Sequence, residues 1–197
     1  MNSRNSFRRT FALLAVTLAV AACGDDSTGA GGDRLTPEES EALYRALRNH
    51  VNLDPTGELP PEVRACTGGG EATLTASVSM SEGESDITFH VDLTLVPRDC
   101  VEAAHGRTFK LNGAPSLRET GTYALRVSPR LGFRNVIDMA LSGAVTYQTA
   151  GRSGTCDISM STRLEVSTTA GRQTGGASGI MCGNPLEIDL SGPLSEP

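Results

Sequence analysis

Residues 90–92, His-Val-Asp, put an imidazole and a carboxylate two positions apart in a run where polar and apolar residues alternate. In a strand, both side chains project from one face. An imidazole oriented by a carboxylate is the start of a general base or half of a metal site. With a third partner, His90 and Asp92 could serve a hydrolase or a metal enzyme. Glu82, Glu84 and Asp86 alternate around Gly83, where carboxylates could meet a calcium ion. The Asp/Asn spacing with a following Glu that calcium loops use is missing, so a charged hairpin tip is the simpler reading. Gly151-Arg152-Ser153-Gly154 sets a serine between glycines, but the second glycine comes one residue early and the context is strand-turn-strand. His105, beside Gly106, has no partner in view, and no phosphate-cradling glycine loop precedes a helix. The expectation is no catalysis, no cofactor and no metal.

The remaining reactive residues are five cysteines: Cys23, Cys66, Cys100, Cys156 and Cys182. None stands in a C-x-x-C pair, and no histidine flanks one at ligand spacing, which argues against zinc.

Few elements are needed to position these residues. Thr36-Pro37-Glu38-Glu39 opens a helix, with Thr36 as cap, Pro37 at the first helical position and Glu39 closing a capping box. Ala42, Leu43, Ala46, Leu47 and Val51 continue it as one apolar stripe, with Glu41 and Arg45 paired i,i+4, so the helix is expected over 36–51. Three prolines in 53–63 end it. From residue 64 onward the period becomes two. Ala72, Leu74, Ala76, Val78 and Met80 alternate with hydroxyl residues, and Ile87, Phe89, Val91, Leu93 and Leu95 alternate with Thr88, His90, Asp92 and Thr94. Strict alternation means antiparallel strands with one dry face and one wet face. Similar runs follow at 109–112, 122–127, 137–147 (with Gly143 as a bend or bulge), 156–166, 180–182 and 186–190. About eight strands between Gly/Ser turns predict an all-β domain over 64–197, an antiparallel β-sandwich or barrel, with the N-terminal helix packed on it or plugging one end.

Register bears on the cysteines. A hairpin turning at 168–171 places Cys156 opposite Cys182, on the face shared by Ile158 and Ile180. In the first hairpin the dry faces set Met80 against a residue such as Ile87, which leaves Cys66 one position out of step with Cys100. Gly68-Gly69-Gly70 could absorb that step as a bulge. The expected bridges are therefore Cys66–Cys100 and Cys156–Cys182. The two stapled hairpins, with the closing strings 109–115 and 187–194, also suggest an internal repeat over 66–113 and 156–192.

The start of the chain gives an address. Arg4, Arg8 and Arg9 precede an apolar run from Phe11 to Ala22, too short to span a bilayer as a helix. It ends in Val20-Ala21-Ala22-Cys23, which resembles the lipobox of bacterial lipoproteins. That resemblance covers residues 1–23 and implies cleavage between Ala22 and Cys23, a diacylglyceryl thioether on Cys23 and an acylated amino terminus bearing a chain such as palmitate. Phe7–Leu13 also partly resembles a twin-arginine export signal, with Phe7 where Ser or Thr is usual. With Cys23 lipidated, four cysteines remain, an even number suited to two disulfides in an exported domain. Residues 24–34 become a Gly/Asp/Ser tether reaching about 18 Å from the membrane.

Cleavage leaves 175 residues and moves the net charge from −6 to −9. Lys110 is the only lysine, and no basic stripe exists, so nucleic acid is not an expected partner. The chain lacks Trp, and its few aromatics lie largely on dry faces, which leaves little for a stacking platform. The expected role is structural or binding, on the outer membrane or the periplasmic face of the inner membrane. The partner would be an envelope protein or a small ligand. A carrier of a lipid or other apolar molecule is one alternative, and an envelope hydrolase or metal enzyme using His90 and Asp92 is another.

Overall fold

The computed structural model describes residues 34–48, 62–83, 86–128 and 132–194. The described residues all belong to one unit, Gly31–Pro197. The expected signal peptide with Ala22 and Cys23 and most of the expected tether lie outside the described residues, as do Val51 and Glu84.

Helix α1 runs from Pro37 to Arg48. Its start is the capping box expected from sequence. The Thr36 amide donates to Glu39 Oε2 at 2.9 Å, and the Glu39 amide donates to Thr36 Oγ1 at 3.3 Å. Arg45 donates twice to Glu41 one turn back. The stripe Ala42, Leu43, Ala46 and Leu47 is buried, and Tyr44 with it.

The rest is all-β: β1 (Glu62–Ala65), β2 (Glu71–Glu82), β3 (Asp86–Arg98), β4 (Cys100–Ala104), β5 (Arg107–Ser128), β6 (Gly132–Thr149), β7 (Arg152–Ser167), β8 (Arg172–Met181), β9 (Asn184–Asp189) and β10 (Gly192–Pro193). They make one antiparallel sheet in the order β1-β2-β3-β5-β6-β7-β8-β10, with β4 also on β5 and β9 also on β8. The sheet is not closed. The segments expected at 109–112 and 122–127 are one strand, β5, whose first part pairs with β4 and whose second part pairs with β3. Asp99, at φ 48°, turns β3 into β4, while β5 shifts register against β6 between Gly113 and Leu117. Gly143 lies across from that shift at φ 124°, and a Cβ there would come within 2.4 Å of the Ser116 carbonyl oxygen, so the bend expected at this glycine is present and needs glycine.

Helix α1 packs against β4, β5 and β9. Four strands separate β4 from β9, so the sheet must curl around the helix, which fills the resulting trough. Inner-face positions of β8 help the curl by being small: Gly175, Ala177 and Gly179 stand opposite Leu164, Thr162 and Met160. Polar contacts fix the helix at both ends. Buried Glu39 accepts from Arg107 (2.7 Å) at the start of β5 and from Arg152 at the start of β7. Asn184 at the start of β9 donates to the Leu35 carbonyl oxygen (2.8 Å) and Ser40 Oγ (2.9 Å). Deeper in, Tyr44 Oη lies 2.7 Å from Thr162 Oγ1, and Arg48 donates to Glu119.

Two registers differ from expectation. Met80 opposes Phe89 rather than Ile87, because β2 runs on to Glu82 while β3 still begins at Asp86, which moves the centre of the turn one residue later. In β7–β8, Ile158 opposes Met181, so Met181 is buried and Ile180 turns outward, 56 % exposed. Glycines in β8 blur its alternation, and a one-residue slip exchanges the faces. Continuing that register would set Cys156 opposite Gly183, so Cys182 falls one short of its direct partner. It takes a left-handed conformation (φ 53°) with its amide on the Asp157 carbonyl oxygen, and the Cys156–Cys182 bridge forms at a Cα separation of 4.2 Å. The Cys66–Cys100 bridge joins the β1–β2 turn to the start of β4, with Cα atoms 5.4 Å apart. The Gly68–Gly70 stretch is that turn rather than a bulge within one strand. The bridges thus occupy different positions in their hairpins. Of the closing strings, 109–115 lies inside the long β5, while 187–194 spans the break between β9 and β10.

Candidate functional site

His90 and Asp92 lie on the outer face of β3. His90 is exposed, and among the described residues it makes no hydrogen bond or ion pair. Asp92 is held by Arg118, which donates from Nε (2.9 Å) and Nη2 (2.5 Å), and this pairing keeps its carboxyl below the usual range. The carboxylate that would orient the imidazole is therefore engaged by another cation. Among the described residues no third group hydrogen-bonds to His90. Glu82 is exposed at the tip of β2, and Asp86 begins β3. Gly151 to Gly154 form the β6–β7 turn and the start of β7, where Arg152 serves the Glu39 contact. His105, at φ 49°, makes the β4–β5 turn with Gly106.

The four described cysteines are all bridged. Glu102 lies close to Cys66 and Cys100, but disulfide sulfurs are not thiolates and do not make a zinc site. Glu102 accepts instead from the Thr67 amide (2.8 Å) and hydroxyl (3.0 Å), pinning the β1–β2 turn.

The inner face of the sheet carries the features that sequence reading missed. Strand pairing lines up rows of inward residues. One row is Val78, Val91, Gly121, Met139, Thr162 and Ala177; the next toward the open end is Met80, Phe89, Tyr123, Ile137 and Leu164. Beyond it lie Ile87, Leu125, Asn135 and Val166. In the first row Val91, Met139, Thr162 and Ala177 are buried, whereas Phe89, Tyr123, Ile137 and Leu164 in the next are half-buried and Met80 is 56 % exposed. Phe89 and Tyr123 tilt against each other with centroids 6.2 Å apart, and burial holds the Tyr123 hydroxyl above its ordinary pKa. The trough therefore ends in an apolar mouth.

Among the described residues, two buried acceptors on this face have no partner, Glu119 Oε2 and Asn135 Oδ1. Glu119 is 3 % exposed, beside Leu93 and Leu141 across the sheet. Burial raises its carboxyl pKa, opposed by the charge and hydrogen bond of Arg48. Both orphan atoms call for a donor. Each residue looked like an ordinary polar position in sequence; only the alternation, which puts 119 and 135 in phase with apolar neighbours, could have marked them.

The outer face is the opposite in character: Ser, Thr and charged residues, with the exposed ion pairs Asp92–Arg118, Glu165–Arg134 and Asp138–Arg163. A membrane-embedded barrel needs an apolar outer band, and this sheet has its apolar residues inside. None of the described helices is long and apolar enough to cross a membrane. An open polar cleft of about 440 Å³ between β4–β5 and the β6–β7 turn is lined by Lys110, Gln148 and Arg152, whose cations are committed to Asp99 and Glu39.

No protein-family model matches the chain, and neither a curated protein nor a solved structure is significantly similar to it.

Proposed function

We propose that this protein is a lipid-anchored lipoprotein of the bacterial cell envelope whose β domain binds rather than catalyses. The signal-like residues 1–23, ending in Val20-Ala21-Ala22-Cys23, support the anchor. Two disulfides suit an oxidising compartment, and the polar outer face suits a domain held outside the bilayer. One acyl chain binds a membrane marginally and two or more hold it stably, so acylation of Cys23 on both sulfur and amine would suffice. Mass spectrometry of the membrane fraction should find an acylated amino terminus beginning at Cys23. A soluble product with a different first residue would remove the anchor.

A second reading, carriage of a small apolar molecule, is favoured by the mouth formed by Phe89, Tyr123, Ile137 and Leu164. The orphan acceptors Glu119 Oε2 and Asn135 Oδ1 favour a ligand with a hydroxyl or amine donor. The purified protein should bind the probe N-phenyl-1-naphthylamine and release it when a long-chain alcohol is added. Ile137→Asp should abolish probe uptake with the circular dichroism spectrum kept. Equal uptake by that variant would place the apolar site elsewhere.

A further inference from the structure

We infer that Arg126, Arg134 and Arg172 form a contact surface for anionic phospholipid headgroups in the membrane that carries the anchor. The inference rests on the lipid-anchor reading and is independent of the ligand reading. The sequence has no basic run, and strand register builds this one. Arg126 on β5 opposes Arg134 on β6, Arg134 opposes Ser167 on β7, and Ser167 opposes Arg172 on β8. Directly opposed residues share a face, so the three guanidinium groups lie in one row on the outer face. Three strand spacings separate Arg126 from Arg172, about 14 Å.

Like charges placed directly opposite one another destabilise a sheet. Elsewhere on the outer surface a cation has a carboxylate beside it: Arg118 has Asp92, Arg163 has Asp138, and Lys110 has Asp99. In the row, Arg134 pairs with Glu165, whereas Arg126 and Arg172 make no hydrogen bond or ion pair among the described residues. Asp86 stands across from Arg126 but holds its carboxylate over Gly83, where a Cβ would come within 2.2 Å of Oδ1. All three arginines are exposed. In a chain of net charge −6, this row keeps three cations against one carboxylate, Asp86. Guanidinium groups suit phosphate oxygens, which they bind with paired donors.

Its place in the fold favours the anchoring membrane as partner. The tether joins the domain at the start of α1, where Glu39 meets Arg152. Strand β7 runs its 16 residues from Arg152 to Ser167 in the row, about 50 Å. Lipid and row would therefore hold opposite ends of the sheet and lay its long axis along the bilayer. A tether reaching about 18 Å permits that tilt. Asp92, Asp138, Glu187 and Asp189, further along the outer face, would repel an anionic surface and confine contact to the row. Each cation near an anionic bilayer gains roughly fivefold in partition. Two net charges are too few to hold a free protein, but they suffice to orient one already tethered at high effective concentration.

The test uses the full chain, purified from membranes and reconstituted into vesicles of phosphatidylcholine alone or mixed with phosphatidylglycerol, each carrying a dansyl lipid. The chain has no Trp, so one introduced Trp reports energy transfer to the bilayer. Thr174→Trp lies on β8 beside the row, and Thr155→Trp lies on β7 near the start of α1; both positions are exposed. Thr174→Trp should transfer strongly only with phosphatidylglycerol, and high salt should remove the signal. Thr155→Trp should be nearly indifferent to lipid composition. Arg126→Gln with Arg134→Gln and Arg172→Gln should cut the Thr174→Trp signal roughly fivefold. Lysine at all three positions should keep most of it, and circular dichroism should be unchanged in both variants. Flotation with the vesicles in high salt reports the anchor separately. A chain that does not float removes the anchor and this proposal together. A floating chain overturns this proposal alone if its Thr174→Trp signal is equal in the two lipids, is unmoved by the glutamines, or is lost equally with lysine.

Discussion

Arg48, the last residue of α1, donates to Glu119, a carboxylate 3 % exposed at the centre of the sheet. This contact ties the end of the helix to the middle of β5 and puts an ionisable group among Leu93, Leu141 and Met139. Removing it has a pH signature. Burial raises the Glu119 carboxyl, so its favourable contribution is complete below the unfolded value near 4.5 and is lost as pH rises through the raised folded value.

Glu119→Gln should therefore gain stability relative to the parent as pH rises from about 4.5 toward 8, with the two proteins converging at acid pH. Arg48 is 28 % exposed and can return to water. Urea titrations at several pH values measure this directly. A difference that shrinks with rising pH would mean that the Arg48 pair outweighs burial.

Glu39 has the opposite sign. Its carboxyl is lowered, chiefly by the Thr36 amide and then by Arg152 and Arg107, against a desolvation cost. Its contribution is present above the unfolded value and is lost as pH falls through the folded one. Glu39→Gln should cost about 2 kcal/mol at neutral pH and make the protein less sensitive to acid below about pH 4.5. Thermal melts at pH 3.5 and 7 provide the comparison; equal losses at both would contradict the assignment.

The Tyr44–Thr162 hydrogen bond is buried and joins helix to sheet. Tyr44→Phe should cost about 1–3 kcal/mol because the Thr162 hydroxyl is left without its partner. Thr162→Val on that background should recover part of the loss, and the double-mutant cycle gives the coupling. Additive losses would show that the bond contributes nothing beyond shape.

Each disulfide closes a loop, 34 residues apart in sequence for Cys66–Cys100 and 26 for Cys156–Cys182. Chain entropy puts each at about 3–4 kcal/mol, with the longer loop slightly ahead. Replacing either pair with alanine should lower the urea midpoint, and non-reducing peptide maps of the variants should show the other bridge intact. A crossed bridge between Cys100 and Cys156 in the parent protein would contradict the pairing.

Much of the fold was legible because its determinants are local. The capping box at Thr36–Glu39, the helical stripe through Leu47 and the alternation through Ile87–Leu95 read correctly from neighbouring residues. The glycine-rich β8 did not, because without side chains alternation carries no phase, and Ile180 and Met181 exchanged faces. The site was the least legible part. His90 and Asp92 stood out as chemistry by spacing, yet Arg118, distant in sequence, claims the carboxylate. Glu119 and Asn135 gave no local signal, since their meaning depends on which strands cover them.

The sequence by itself determined the helix, the alternating strands, the even set of four cysteines and the anchor-like start of the chain, all of which depend on spacings of a few residues. Only the tertiary structure decided that the strands form one open sheet curled around the helix, that Arg126, Arg134 and Arg172 share one row, and that the apolar face ends in a mouth with unpartnered acceptors. Those properties depend on registers between distant segments, where a one-residue step turns every side chain to the other face.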